Sequence, residues 1–150
     1  RKVLATSEKK LVPLSDEIEQ LQLYLKLEQL RFPFSYSLTV DNNIEPDANE
    51  IPGMLIQPFV ENAVKHGIAP RGTGEIIIRL SLQDQLLVID IIDDGPGMVT
   101  ETESGFGIRA ISNEFEILKD LYNTEIGITI ENRQKKESVS GCHVRLSIPL

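Results

Sequence analysis

Two runs of branched aliphatic residues, Ile76 to Leu82 and Leu86 to Ile92, are separated only by Gln83-Asp84-Gln85. Runs joined by so short a link read as adjacent antiparallel strands, because a parallel return needs a crossover of a dozen residues or more. Around this hairpin the other elements follow by pattern. Tyr36, Leu38 and Val40 alternate with Ser35, Ser37 and Thr39, as in a strand with one buried face. Further strands are expected near Glu125 to Glu131 and His143 to Ile148, and a loop over the polar stretch Asp41 to Glu50.

Three helices fit between the strands. Ser15 is the expected N-cap of the first, with Asp16 and Glu17 in its opening turn. Ile18, Leu21 and Leu25, flanked by Tyr24 and Leu27, form its apolar stripe up to about Arg31, and Pro33 ends it. The second is expected from near Pro52 to Gly67, with Gly67 as C-terminal cap and a kink at Pro58. The third carries Ile108, Ile111, Phe115, Leu118 and Leu121. These elements predict an α+β fold: a two-layer sandwich whose mixed, largely antiparallel sheet is covered on one face by three helices. A doubly wound parallel sheet fits less well, since consecutive strands lack intervening helices.

The 150 residues suit one domain, and residues 1–13 read as a linker or the end of an upstream helix ahead of a domain over 14–150. A net charge of -8 argues against broad nucleic-acid binding, which needs Lys and Arg against phosphate. It leaves a nucleotide site open, where a cation and a few donors handle the phosphates. The single cysteine, Cys142, excludes a disulfide framework and reads as a small residue in or beside a strand. No apolar run approaches the length of a membrane helix and no signal peptide opens the chain, so it reads as cytoplasmic. A chain opening on Arg1 reads as a fragment.

Two segments could carry chemistry. In Gln57-Pro58-Phe59-Val60-Glu61-Asn62-Ala63-Val64-Lys65-His66-Gly67, a helix sets Lys65 and His66 three and four residues beyond Asn62. The amide oxygen of Asn62 suits Mg²⁺, and Lys65 would offset phosphate charge. A helix simply ending in solvent also carries polar residues in its last turn. The second segment, Asp93-Asp94-Gly95-Pro96-Gly97, follows an apolar strand, and Gly105-Phe106-Gly107-Ile108 opens the third helix. A carboxylate at a strand's end can accept a hydrogen bond from an exocyclic amine such as that of adenine. The glycines admit a flat ligand, and a helix N-terminus offers N–H groups to phosphate. Asp and Gly are ordinary turn residues too, and it is the conjunction of both motifs with strand before and helix after that points to a site.

The conjunction resembles the ATP-binding domain shared by histidine kinases, gyrase, the Hsp90 chaperone and the mismatch-repair ATPase, a Bergerat-type fold. The run from Leu55 to Gly67 is most similar to histidine kinases of the LytS type. Val12 to Ile18, Tyr24-Leu25 and Leu30-Arg31-Phe32 look like their segment linking dimerization helices to the catalytic domain, and Gly141 to Leu150 resembles their closing strand. The resemblance implies ATP and Mg²⁺ as ligands, with Asn62 on the metal and Lys65 and His66 near the phosphates. Asp93 would take the adenine amine, Gly95 and Gly97 would shape the base pocket, and Gly105 and Gly107 would hinge a lid over Val99 to Ser104, with Ile108 and Arg109 beginning the next helix. It implies phosphotransfer to a histidine upstream of Arg1, in a homodimeric, membrane-anchored parent, for relay to a response-regulator receiver domain.

The chain departs from related ATPases at Pro58, where they carry the glutamate that orients water. Glu61 lies about 100° from Asn62 around the helix and is a weaker candidate base. Loss of a water activator suits a kinase. An ATP hydrolase and a nucleotide-sensing pseudo-kinase are the alternatives. Cys142 stands where many relatives carry Thr. Of the two histidines, His66 reads as site-lining and His143 as a strand residue without a role, so no phosphoacceptor is expected within the chain.

Overall fold

The computed structural model describes residues 11–97, 126–133 and 140–150. Its elements are β1 (Leu11–Pro13), α1 (Leu14–Glu28), β2 (Phe34–Val40), β3 (Glu50–Pro52) and α2 (Gln57–Asn62), which continues as a wider helical segment over Ala63–Ile68. Then come β4 (Gly74–Gln83), β5 (Leu86–Asp93), β6 (Gly127–Asn132) and β7 (Cys142–Pro149). The expected third helix, the lid and the residues Gly105, Gly107, Ile108 and Arg109 lie outside the described residues.

The main sheet has the order β2-β4-β5-β7-β6. The β2/β4 pair is parallel, bridged by the crossover through α2, and the other three pairs are antiparallel. The expected mixed, largely antiparallel sheet is therefore present. The hairpin closes on Asp84-Gln85, one residue tighter than expected, because Gln83 still pairs with Leu86. Asp84 takes the left-handed turn conformation at φ 54°, one that Asp tolerates better than most residues. β1 pairs with β3 as a separate ribbon beside α1.

One face of the sheet meets the helices. Leu14, Leu21 and Leu25 of α1 pack with Phe59, Val60 and Val64 against Ile76, Ile78, Leu80, Leu87, Ile89, Ile91, Val144, Leu146 and Ile148. Each fully buried aliphatic side chain contributes roughly 1.5–3 kcal/mol.

Several local expectations are corrected. Ser15 does not cap α1, because loop carbonyls already take the first N–H groups: Leu14 N donates to Asn49 O at 2.8 Å and Ser15 N to Pro46 O at 2.9 Å. Leu27 is exposed, with Leu23 and Leu30, on the outer face of this segment. Pro52 ends β3, and α2 starts only at Gln57. Pro58 thereby falls in the first turn, where no N–H is needed, and produces no mid-helix kink. Gly67 is not a left-handed cap. It lies within the wide segment, where Ala69 N reaches Val64 O, five residues back, at 2.9 Å. The left-handed terminator is Gly72, at φ 75°, whose N–H bonds Ile68 O at 2.8 Å.

Candidate functional site

Alternation along β5 sends Leu87, Ile89 and Ile91 to the helix-covered face. Asp93, two residues further on, continues that face to the point where the apolar layer ends. Its side chain is buried, and Oδ1 accepts Gly95 N at 2.9 Å. Burial pushes its pKa up, and the neighbouring Asp94 charge adds to this. The N–H groups of Gly95 and Cys142 and the Arg133 guanidinium pull the other way without cancelling the rise.

Asp94 has a different task. Its Oδ1 accepts Glu75 N at 2.9 Å, and its carbonyl accepts Arg71 Nη1 at 2.9 Å and Ser140 Oγ at 3.3 Å. It thus ties the loop to β4 and to the start of the closing strand. The loop is held from outside while Asp93 points inward.

Gly67 is the residue that sequence reasoning assigned to the wrong purpose. A Cβ there would lie 2.6 Å from Asp93 Cγ and 2.7 Å from Oδ1. A Cβ on Gly95 would strike the Gly67 backbone, and one on Gly141 would strike the Asp93 carbonyl. The end of the α2 segment, the loop after β5 and the start of β7 therefore meet around one carboxylate because three glycines allow backbone to approach. Proximity of this kind has no local signature beyond the glycines themselves. Gly97, at φ 79°, turns the chain away beside Asn132.

Along the second helix, Asn62 is half-buried and closes the α-helical part, while Lys65 and His66 are exposed in the wide segment. Such five-residue turns recur at functional sites. Burial and the Lys65 charge hold the His66 pKa below its ordinary value. Glu61 is bonded by Gln57 Nε2 at 3.0 Å. Glu61 and Lys65 line a groove of about 270 Å³ towards α1, shared with Tyr24, Glu28, Arg31 and Phe32. Burial and the carboxylates Glu28 and Glu61 push the Tyr24 hydroxyl up to about 12. Glu61 and Lys65 are thus turned towards α1.

Cys142 begins β7 beside Asp93, and burial and that carboxylate push its thiol up to about 11, well away from a reactive thiolate. His143, left without a role by the sequence, donates Nε2–H to Asp90 Oδ1 at 2.7 Å on the opposite sheet face. Among the described residues no group of three His, Cys, Asp or Glu could hold a metal ion, and no helix is long and apolar enough to cross a membrane.

Residues 50–150 match the family described as histidine kinase-, DNA gyrase B-, and HSP90-like ATPase. The sensor protein LytS of Enterococcus faecalis is 32% identical over 151 residues, covering 93% of this chain and 25% of that protein. The sensor histidine kinase BtsS of Escherichia coli K12 is 30% identical over 121 residues, covering 79% of this chain and 21% of its own length. The chain thus spans about a quarter of the length of these relatives. Among solved structures, the catalytic domain of histidine kinase ThkA superposes with a TM-score of 0.66 at 16% identity, covering 93% of this chain and 94% of that one. The Acinetobacter baumannii histidine kinase AdeS superposes at 0.65 and 15% identity, covering 93% of this chain and 66% of that one. At such identities these structures speak for the fold alone. The chain belongs to the histidine kinase-, DNA gyrase B- and HSP90-like ATPase family, and within it resembles the LytS-type sensor kinases.

Proposed function

We propose that this domain binds ATP with Mg²⁺ and supplies the γ-phosphoryl group to a histidine on the dimerization helices of a longer, membrane-anchored sensor kinase. A response-regulator receiver domain would be the next acceptor, and the domain would work on the cytoplasmic side. The observation that carries the reading is the buried Asp93 carboxylate, walled by Gly67, Gly95 and Gly141. A carboxylate acceptor that glycine backbone approaches this closely fits the edge of a flat base with an exocyclic amine.

Asn62 would supply the neutral oxygen for Mg²⁺, the phosphates themselves providing the other charged ligands, as Mg²⁺ sites of this kind require. Lys65 and His66 would face the phosphates, Lys65 by swinging its flexible side chain out of the α1 groove. Bound Mg-ATP would supply the phosphoryl group and the charge that draws it towards the acceptor. The protein's share is positioning and charge stabilisation. The hydrolase alternative is disfavoured because Pro58 sits in the first turn of α2 and offers no carboxylate, while Glu61 is bonded to Gln57 and turned towards α1.

Titration calorimetry of the chain with ATP and ADP, with and without Mg²⁺, tests the first half. Binding in the micromolar to millimolar range is expected, tighter with Mg²⁺ for ATP. No binding at millimolar nucleotide would leave only a docking module. The parent protein incubated with γ-labelled ATP tests the second half, with acid-labile phosphate expected on an upstream histidine and none on this segment. Sustained hydrolysis by the isolated chain, abolished in Glu61→Ala, would make it an ATP hydrolase instead.

A further inference from the structure

Glu17 is the most deeply buried charged side chain among the described residues, at 2% exposure. It lies on the same face of α1 as Leu14, Leu21 and Leu25, in the middle of the apolar stripe. An acidic residue in a first turn ordinarily stays in solvent near its own helix N-terminus. Glu17 instead reaches across to the start of α2. Its Oε1 accepts Met54 N at 3.1 Å, and its Oε2 accepts Ile56 N at 3.1 Å and Gln57 N at 3.3 Å.

These bonds complete the accounting at that helix end. A helix leaves its first N–H groups without internal partners. In α2 no side chain of its own segment caps it. Ile56 and Gln57 give their N–H groups to Glu17, and Pro58 has none to give. Phe59 N and Val60 N already reach Ile56 O, at 3.0 and 3.3 Å. Met54 N, the remaining donor to Glu17, belongs to a residue in the left-handed conformation at φ 62°. A non-glycine residue there needs its surroundings to hold it.

We infer that Glu17 is the positioning residue of the nucleotide-site helix: one carboxylate on α1 clamps the turn at Met54 and the first turn of α2, and so sets where Asn62 stands relative to Asp93. The inference rests on the proposed nucleotide site and adds a residue to it. Burial pushes the Glu17 pKa up, while the N–H groups of Met54, Ile56 and Gln57 pull it down. Asp93 stands on β5 and takes no bond from Glu17. Loss of the clamp acts at the start of that helix, nearer Asn62 than Gly67, so it disturbs the Asn62 side of the site more than the base side that Gly67 walls. The clamp also connects α1 directly to the helix carrying the metal candidate.

The test compares the chain with its Glu17→Gln variant. Gln keeps the shape, loses the charge and turns an amide N–H₂ towards backbone N–H groups. Calorimetry with Mg-ATP and with adenosine separates the two sides of the site, and hydrogen exchange reads the Met54, Ile56 and Gln57 amides. The variant should lose about tenfold in Mg-ATP affinity, or about 1.4 kcal/mol, keep adenosine affinity within about twofold, and exchange those three amides faster. Arg145→Ala, on the far face of the sheet, is the control for general destabilisation and should leave both affinities unchanged. Equal losses for Mg-ATP and adenosine, or unchanged exchange at the three amides, would overturn the inference. If Glu17→Gln does not fold, Glu17→Asp takes its place, keeping the charge at shorter reach, and failure of both to fold makes the role purely structural. Absence of nucleotide binding by the unmodified chain counts against the proposed function. Binding by the unmodified chain with an unaltered Glu17→Gln counts against Glu17 alone.

Discussion

Asp90 and Asp93 lie three residues apart on β5 and are equally buried at 6% exposure, yet they have opposite surroundings. Odd spacing on a strand sends them to opposite faces. Asp90 sits on the face away from the helices, in register with Arg79 on one neighbour and Arg145 on the other. It accepts Arg145 Nε and His143 Nε2, each at 2.7 Å. Asp93 sits at the helix-covered end, where among the described residues the backbone N–H groups of Gly95 and Cys142 bond its carboxylate and Arg133 Nη1 donates to its carbonyl at 3.2 Å. A buried carboxylate bonded to a guanidinium and an imidazole is a finished structural unit. One held by backbone N–H groups among close-packed glycines still has capacity to accept from a ligand.

The comparison breaks most visibly with Asp93→Asn. The substitution turns an N–H₂ towards the donor that the carboxylate would accept, so adenine-nucleotide affinity should fall about 100-fold, or about 2–3 kcal/mol. Melting temperature should hold or rise, because a buried charge is removed. A drop in melting temperature with unchanged nucleotide affinity would make Asp93 a second structural carboxylate. Gly67→Ala comes next. Its Cβ would lie 2.6 Å from Asp93 Cγ, and overpacking of this kind costs about 1–3 kcal/mol, readable by denaturant unfolding together with weakened nucleotide binding.

Asp90→Asn should do the converse of Asp93→Asn. Arg145 is half-exposed and can turn to water, so the expected loss of stability is only about 1 kcal/mol, with nucleotide affinity within about twofold. A larger effect on binding than on unfolding would join the outer face to the site.

The smallest effect is in pH dependence, where the two aspartates should have opposite signs. Burial pushes Asp90 up, but hydrogen bonds from Arg145 and His143 and their charges outweigh it, so its folded pKa is lowered. Its stabilisation is present above the unfolded value and lost as pH falls through the folded one. The folded pKa of Asp93 is raised, chiefly by burial. Its contribution to stability therefore falls as pH rises from the unfolded value, about 3.9, through the folded one. Nucleotide binding through its carboxylate should fail on acidification at a higher pH than an ordinary aspartate would set. Unfolding curves of Asp90→Asn and Asp93→Asn against pH should each lose one of these slopes, and slopes of the same sign would refute the assignment.

Much of this was legible in the sequence because it depends on near neighbours. The period-2 alternation of β2, the aliphatic runs of β4 and β5 and the short link between them identify strands and their pairing from local sterics alone. The run from Leu55 to Gly67 and the Asp93-Gly97 step nominate the site because backbone approach needs glycine and a strand end needs an acceptor. The helix boundaries were less legible. Pro52 and Pro58 both suit a first turn, and only the pairing of Leu11 with Pro52 decides between them. That pairing spans some forty residues and has no local signature.

By itself, then, the sequence determined the fold class, the strand faces and the residues nominated for the site, since periodicity and residue chemistry are properties of the chain. Tertiary structure alone decided their division of labour. It gave Asp90 to Arg145 and His143 and Asp93 to backbone N–H groups among close-packed glycines, turned Glu61 and Lys65 towards α1, and sent Glu17 across to clamp another helix. In the sequence Glu17 passes for an ordinary acidic residue of a helix's first turn. Its three N–H partners lie 37 to 40 residues away, and only the packed core brings unbonded donors and a desolvated carboxylate to the same place.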